Sequence, residues 1–249
     1  MKIDILNEDC ILTMSNLEDN SIDVILTSPP YNMTKRKGGY ADTGRYDIYE
    51  DWKTEKDYID WMIDIFNHFD KILVPNGIVL FNLNYSIENP ILPYKVVCHI
   101  DEKTSFTVVD TIVWKKKSGL PFPANSRRLS RIFENVFVIV RKTEVNSFNT
   151  NRKVKSISEK TGQKYYEIKY NFIEANNNDG KCELNQATFS TDLCKQLLSI
   201  YATNNSTVYD PFIGTGTTAV ACKQMNLNCI GSEISKQQVE YARRRISVL

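Results

Sequence analysis

Val208-Tyr209-Asp210-Pro211-Phe212-Ile213-Gly214-Thr215-Gly216-Thr217-Thr218-Ala219 runs from a β-branched and aromatic segment through a glycine turn into a helix-forming stretch, Val220 to Met225. A strand that enters a tight turn and then a helix is the first half of a crossover unit. It commits the chain to a mostly parallel sheet with helices packed on its faces. Gly214, Gly216 and Ala219 fit the G-x-G-x-x-G/A pattern, in which the first two positions let the backbone turn tightly and approach a ligand and the third permits close helix packing. Cys229-Ile230-Gly231-Ser232-Glu233 reads as the next strand, with an acid at its tip. Glu233 follows Gly214 at close to the roughly twenty residues expected of a carboxylate that accepts hydrogen bonds from ribose hydroxyls. A helix from Gln237 to Ile246 completes a βαβα unit suited to an adenosine-type cofactor.

Far upstream, Ser28-Pro29-Pro30-Tyr31 and Asn32 close the apolar run Ile22-Asp23-Val24-Ile25-Leu26-Thr27. Two prolines cannot continue a hydrogen-bonded ladder, so the chain leaves the strand there. Ser28 and Tyr31 are left on a stiff, donor-poor turn at a strand's C-terminal edge, where open α/β sheets usually place their chemistry.

The two motifs together resemble the β-class DNA amino-methyltransferases, and the resemblance covers most of the chain. In that family the catalytic motif precedes the S-adenosylmethionine motif, a circular permutation of the usual methyltransferase order, and this chain has that order. Asn7-Glu8-Asp9-Cys10 before an early helix, Leu73-Val74-Pro75-Asn76-Gly77 before the strand Ile78 to Leu83, and Ala187-Thr188-Phe189 before the glycine motif also match. Ser190 stands where the family commonly has proline. The resemblance implies a Rossmann-like, circularly permuted α/β methyltransferase fold with a mostly parallel central sheet and helices on both faces. It also implies a set of cofactor contacts for S-adenosylmethionine, which leaves as S-adenosylhomocysteine: Asp9, Cys10, Thr188, Phe189, Asp210, Pro211, Phe212, Gly214, Gly216, Thr217, Thr218 and Glu233.

At 249 residues one catalytic domain with a modest insert is expected, because chains of this size hide roughly three quarters of their extended surface. The expected division is a catalytic half, 1–141, a candidate target-recognition insert, 142–185, and a cofactor half, 186–249. Strands are expected at Val24–Leu26, Ile78–Asn82, Thr107–Trp114, Val136–Val140, Thr207–Tyr209 and Asn228–Gly231. Tyr58, Met62, Ile65, Phe66, Phe69 and Leu73 recur at helical spacing, with Thr54 suited to the start and Trp52 and Trp61 candidates for the same cluster. From Ser147 to Gly180 the periodicity fails, in a stretch rich in Asn, Ser, Lys and Tyr. It reads either as a mobile surface excursion or as a small recognition insert.

The net charge of +1 means that any field for DNA must be local. Two segments offer one. The loop after the catalytic turn, Asn32 to Glu50, holds Lys35, Arg36 and Lys37 with Gly38, Gly39 and several tyrosines, a composition that could close on phosphates and stack on bases. Between Thr111 and Phe133 there is no acid, whereas Lys115, Lys116, Lys117, Arg127, Arg128 and Arg131 would form a phosphate-contacting ridge. The six cysteines show no C-x-x-C pair and read as reduced, packed thiols. With so few histidines no metal site is expected. Neither a secretory leader nor a membrane-spanning stretch is indicated, so the expected location is cytoplasmic, at the nucleoid in a bacterium.

An amino group conjugated to a base ring is a poor nucleophile, and within a duplex it cannot reach a methyl donor, so the base must flip out. The Ser28 hydroxyl and the Pro29 carbonyl would accept its two hydrogens, Pro30 would stiffen the turn and Tyr31 would stack on the ring. Ser at the first motif position favours N4 of cytosine over N6 of adenine in the resembled enzymes. Transfer to cytosine carbon 5 would need an activated cysteine, typically after proline, and the chain has no Pro-Cys pair. Amino methylation of RNA or of a protein amide, a NAD-dependent oxidoreductase, and a catalytically inactive DNA-binding protein are the competing readings. Double-stranded DNA is the expected partner. A homodimer and a cognate restriction endonuclease, forming a restriction–modification pair, are further candidates that the resemblance implies.

Overall fold

The computed structural model describes residues 1–32, 53–84, 89–120, 129–180, 184 and 189–249. The strands are β1 (Ile3–Leu6), β2 (Ile22–Thr27), β3 (Leu73–Asn82), β4 (Phe106–Leu120), β5 (Arg131–Arg141), β6 (Val154–Ile157), β7 (Lys164–Tyr166), β8 (Phe172–Ala175), β9 (Thr207–Asp210) and β10 (Asn228–Ser232). The helices are α1 (Cys10–Asn16), α2 (Glu55–Ile72), α3 (Leu92–Lys103), α4 (Thr191–Tyr201), α5 (Thr217–Met225) and α6 (Lys236–Ser247). An 8-stranded sheet has the order β1-β10-β9-β2-β3-β5-β4-β8, in which β5 alone runs against its neighbours. Every strand expected from the sequence overlaps an observed one, with Leu83 and Glu233 falling one residue past the ends of β3 and β10. β1 and β8 are additional, because neither short segment carries enough apolar period to announce itself.

Both faces of this sheet are covered, as a mostly parallel sheet requires. Val24, Leu26, Leu80 and Val138 point to one core, which is roofed by Leu193 and Leu197 of α4, Ala221 of α5 and Val239 of α6. Ile25, Val79 and Phe81 point to the other, beneath Met14 of α1, the α2 stripe and Val96 of α3. The α2 stripe is the one read from spacing: Tyr58, Met62, Ile65, Phe66 and Phe69 are all buried, and Thr54 caps the helix by accepting from the Asp57 N–H. Leu73 belongs to β3 rather than to the helix. Trp61 does join this cluster, packed against it from its edge, whereas Trp52 lies outside the described residues.

β2 pairs with β9, with Val24 opposite Val208 and Ile25 opposite Tyr209. From β2 the chain winds outward through β3, and from β9 it winds the other way through β10. The crevice past their C-terminal ends is therefore the topological switch point of the sheet, the place where such sheets bind ligands. Seen in chain order, β1 stitches the permuted ends together by pairing with β10, and the Cys229 N–H donates to the Lys2 carbonyl at 2.9 Å.

The aperiodic stretch divides in two. β6 and β7 form a separate antiparallel pair, whereas β8 adds to the main sheet beside β4, with Lys115 opposite Glu174. Part of the expected insert is thus an edge of the central sheet.

Candidate active site

At the end of β9 Asp210 is 2% exposed. Its Oδ1 accepts from the Thr27 hydroxyl at 2.9 Å and the Phe212 N–H at 3.1 Å, and its Oδ2 accepts from the Thr218 hydroxyl at 2.6 Å. One carboxylate therefore joins the last residue of β2, the glycine turn and the first turn of α5. Burial pushes its pKa from 3.8 up to about 6, against the pull of those donors.

Gly214 and Gly216 both have left-handed backbones, at φ +50° and +85°. The Gly214 N–H donates to Glu233 Oε2 at 3.1 Å, and the Ser235 N–H donates to Oε1 at 2.8 Å. Glu233 is thereby fixed at the tip of β10, its carboxylate holding the glycine turn and the start of α6 together. Gly216 has a second duty beside the turn expected of it. A Cβ there would lie 2.7 Å from the Ala242 Cβ, so the close helix packing assigned to Ala219 falls on Gly216 against α6. Ala219 is itself buried in the core.

Asp9 caps α1, accepting from the Ile11 N–H at 2.8 Å, and Asn7 Nδ2 donates to the carbonyls of Glu233 and Ile234. These contacts gather the ends of β1 and β10 at one edge. The Cys10 side chain is packed into the core, where burial, then the Asp9 charge, pushes its thiol up to about 12. Burial likewise raises Cys194, and a hydrogen bond with Cys222 followed by burial raises Cys229. None of these thiols is activated as a nucleophile. Phe189 is buried, Thr188 lies outside the described residues, and Ser190 caps α4 by accepting from the Leu193 N–H. That cap is a task proline cannot perform, and it accounts locally for the departure at Ser190.

The Ser-Pro-Pro-Tyr turn is anchored from several sides. Tyr58 of α2 donates to the Pro30 carbonyl at 2.6 Å, while Pro29 is buried. The Tyr31 hydroxyl lies 3.0 Å from the Ser28 hydroxyl, 2.9 Å from Asn82 Oδ1 at the end of β3 and 3.0 Å from Glu134 Oε2 on β5. Burial, then the Glu134 charge, raises the Tyr31 phenol well above its ordinary value, so it remains neutral. Asn32, at φ +50°, both donates to the Lys53 carbonyl and accepts from the Lys53 N–H, each at 2.9 Å. Across the crevice Phe212 meets Trp61 edge to face, with centroids 5.5 Å apart. Buried Pro211 precedes Phe212, and Thr217 is buried at the start of α5. The Ser-Pro-Pro-Tyr and glycine turns, separated by most of the sequence, thus line one crevice.

A family model described as DNA methylase, covering N6 and N4 methyltransferases, matches residues 22–244. The chain belongs to this DNA amino-methyltransferase family. Among curated relatives, the type II methyltransferase M.HpaI of Haemophilus parainfluenzae is 25% identical over 249 residues, covering 96% of this chain and 72% of its own. Among solved structures, the cytosine-N4-specific PvuII DNA methyltransferase superposes with a TM-score of 0.75 at 17% identity, covering 98% of this chain and 86% of that one. The complex of M1.HpyAVI with SAM superposes at 0.63 and 23% identity, covering 98% and 99%. These neighbours share the fold that the order of the two motifs implied.

For a DNA methylase, the placement of the basic residues matters, and it departs from the expected ridge. Lys116 points inward and pairs with Glu134; the two side chains are 14% and 7% exposed. It also sits over the Trp114 ring, 4.8 Å from the centroid. Lys115 pairs with Glu174 on β8, Lys117 is exposed, and Arg131 is partly buried at the start of β5. The segment holds no acid in sequence, but neighbouring strands bring two carboxylates to it, which count of local charge cannot foresee. Lys35, Arg36, Lys37, Arg127 and Arg128 lie outside the described residues. Glu134, Asn82 and Tyr58 are the residues that sequence reading missed. The one available signal for Glu134 was an acid set within the apolar run Ile132-Phe133-Glu134-Asn135-Val136-Phe137. Among the described residues no His, Cys, Asp and Glu side chains gather as a metal site would require, and no helix is long and apolar enough to cross a membrane.

Proposed function

We propose that this DNA methylase moves the methyl group of S-adenosylmethionine to the exocyclic amino group of a base flipped from double-stranded DNA, at N4 of cytosine. The observation that carries this reading is the Thr27–Asp210 hydrogen bond, which fixes the amino-presenting turn beside the glycine turn at the switch point of the sheet. The donor occupies the edge formed by Asp9, Cys10, Phe212, Gly214, Gly216 and Glu233, with Phe189, just ahead of α4, as a further contact. Glu233 takes the ribose hydroxyls, and the Cys10 contact is made by its backbone. Asp210, Thr217 and Thr218 act by shaping the turn, since Asp210 and Thr218 are bound to each other.

Ser28 Oγ and the Pro29 carbonyl accept the two amino hydrogens, so that the nitrogen lone pair faces the sulfonium methyl, and the Tyr31 ring stacks on the base. The nitrogen–methyl bond forms as the sulfur–methyl bond breaks, the sulfur keeps that electron pair, and the amino proton leaves to solvent. Positioning supplies most of the rate, with no covalent enzyme intermediate.

The β6–β7 region adds a surface for the duplex. Arg152, Lys153, Lys155, Lys160, Lys164 and Lys169 lie close in sequence to Tyr165, Tyr166 and Tyr170, which are 52%, 43% and 76% exposed, and Arg152 sits over the Tyr166 ring. Basic groups with exposed rings suit phosphates and bases, which favours the recognition reading of this insert. A homodimer, a cognate restriction endonuclease and a cytoplasmic location belong to the same reading.

Purified protein incubated with unmodified genomic DNA and S-adenosylmethionine should yield N4-methylcytosine by nucleoside mass spectrometry, at one sequence by modification-sensitive sequencing. N6-methyladenine would move the assignment to the other base, and an unmodified digest would overturn it. Pro30→Ala should retain cofactor binding while losing turnover.

A further inference from the structure

The Ser28–Tyr31–Glu134 contacts permit only one arrangement of protons. Asn82 Nδ2 donates to the Asn135 carbonyl at 3.0 Å, which turns Asn82 Oδ1 toward Tyr31. Glu134 is a carboxylate paired through Oε1 with Lys116, and its Oε2 also faces Tyr31. A carboxylate accepts only, and so does an amide oxygen. The single proton of the Tyr31 hydroxyl must therefore be given to these two oxygens. The oxygen of Tyr31 is then an acceptor toward Ser28, and the Ser28 hydroxyl, 3.0 Å away, must donate to it. With its own proton committed, Ser28 offers only lone pairs to the crevice.

We infer that Glu134, with Lys116 and Asn82 behind it, fixes the direction of every proton in this chain so that Ser28 meets the target base only as an acceptor, selecting bases that carry an amino group over those that carry a carbonyl at the same ring position. Glu134 is a positioning and specificity residue, not a catalytic one. An amino group donates to Ser28, whereas a carbonyl oxygen would face lone pairs and lose its hydrogen bond on leaving water. A free serine hydroxyl could rotate to serve either group, and the buried ion pair removes that freedom. β4 and β5 are placed to do this because their antiparallel pairing sets Glu134 opposite Trp114, so that Lys116 lies diagonally across on the same face.

The inference rests on the methyl-transfer reading proposed above, and its test separates the two. Duplexes are built on the mapped site with the target base intact or replaced by its carbonyl counterpart, uracil for cytosine or hypoxanthine for adenine. Affinities are measured with S-adenosylhomocysteine present. The unaltered protein should methylate the intact duplex and bind it about tenfold more tightly than the carbonyl duplex, as expected for one matched hydrogen bond. In Glu134→Gln the amide can donate to the Tyr31 oxygen in competition with Ser28, which releases the serine hydroxyl to rotate, so the preference should fall below about threefold. Binding of S-adenosylhomocysteine should stay within about twofold, and Glu134→Asp should recover part of the preference. Tyr31→Phe removes the middle of the chain without touching the ion pair and should abolish the preference as well, which decides the matter if Glu134→Gln does not fold. An undiminished preference in the folded variants, or none in the unaltered protein, overturns the inference. Failure to methylate the intact duplex takes down the methyl-transfer reading itself.

Discussion

The two turns that form the crevice are held in opposite ways. The glycine turn is largely self-sufficient: positive-φ glycines, the Asp210 bonds to Phe212 and Thr218, and the Glu233 bonds to Gly214 and Ser235 come from one continuous βαβ stretch. The Ser-Pro-Pro-Tyr turn takes its anchors from α2, β3 and β5, through Tyr58, Asn82 and Glu134. A backbone cradle can be specified locally because φ, ψ and residue type suffice. A side-chain constellation that must fix a hydroxyl's rotamer needs partners at several angles, and only distant segments can supply them.

The Thr27–Asp210 bond, which ties the two turns together, offers the most severe test of that contrast. Asp210→Ala should cost about 4 kcal/mol of stability, since it strands the buried Thr27 and Thr218 hydroxyls and the Phe212 N–H, and it should abolish cofactor binding. Denaturant melts and calorimetry report the two effects. Asp210 also sets a pH dependence. Because its folded pKa of about 6 lies above the unfolded value near 3.8, the folded chain holds a proton that the unfolded chain has released. Its contribution to stability is therefore full below pH ~4 and is lost as pH rises through ~6, a decline of roughly 3 kcal/mol. Asp210→Asn should flatten that decline, and an identical pH profile in the variant would remove Asp210 from the account.

Within the locally built turn, Gly216→Ala should destabilise by about 3 kcal/mol, combining left-handed backbone strain with the Ala242 clash. A chemical melt that shifts by less than about 1 kcal/mol would show that α6 yields easily. The smallest effect concerns the lysines. Lys117→Ala should flatten the salt dependence of DNA binding by roughly 0.9 in slope, whereas Lys116→Met should leave the slope alone and lower stability instead. Equal slopes changes in both would place Lys116 on the duplex and break the distinction drawn between them.

Much of the sheet was legible because parallel strands between two covered faces are nearly continuous apolar runs, as in Ile22–Thr27 and Val136–Val140. The α2 stripe was legible for the same reason at helical period. β8 was not, because Phe172-Ile173-Glu174-Ala175 joins the sheet as an edge strand with alternate residues exposed. The pairing of Lys115 and Lys116 was not legible, since charges within one segment say nothing about the carboxylates a neighbouring strand sets opposite them.

Turn residues and hydrophobic period are local properties, and from them the fold family, the order of its two motifs and the chemistry they suit can be read along the chain. Folding adds that Asp210 fastens the motifs together, that Gly216 packs against α6 and that Lys116 turns inward to Glu134. Each of these depends on a side chain meeting a group from another strand or helix, and sequence distance carries no record of that meeting.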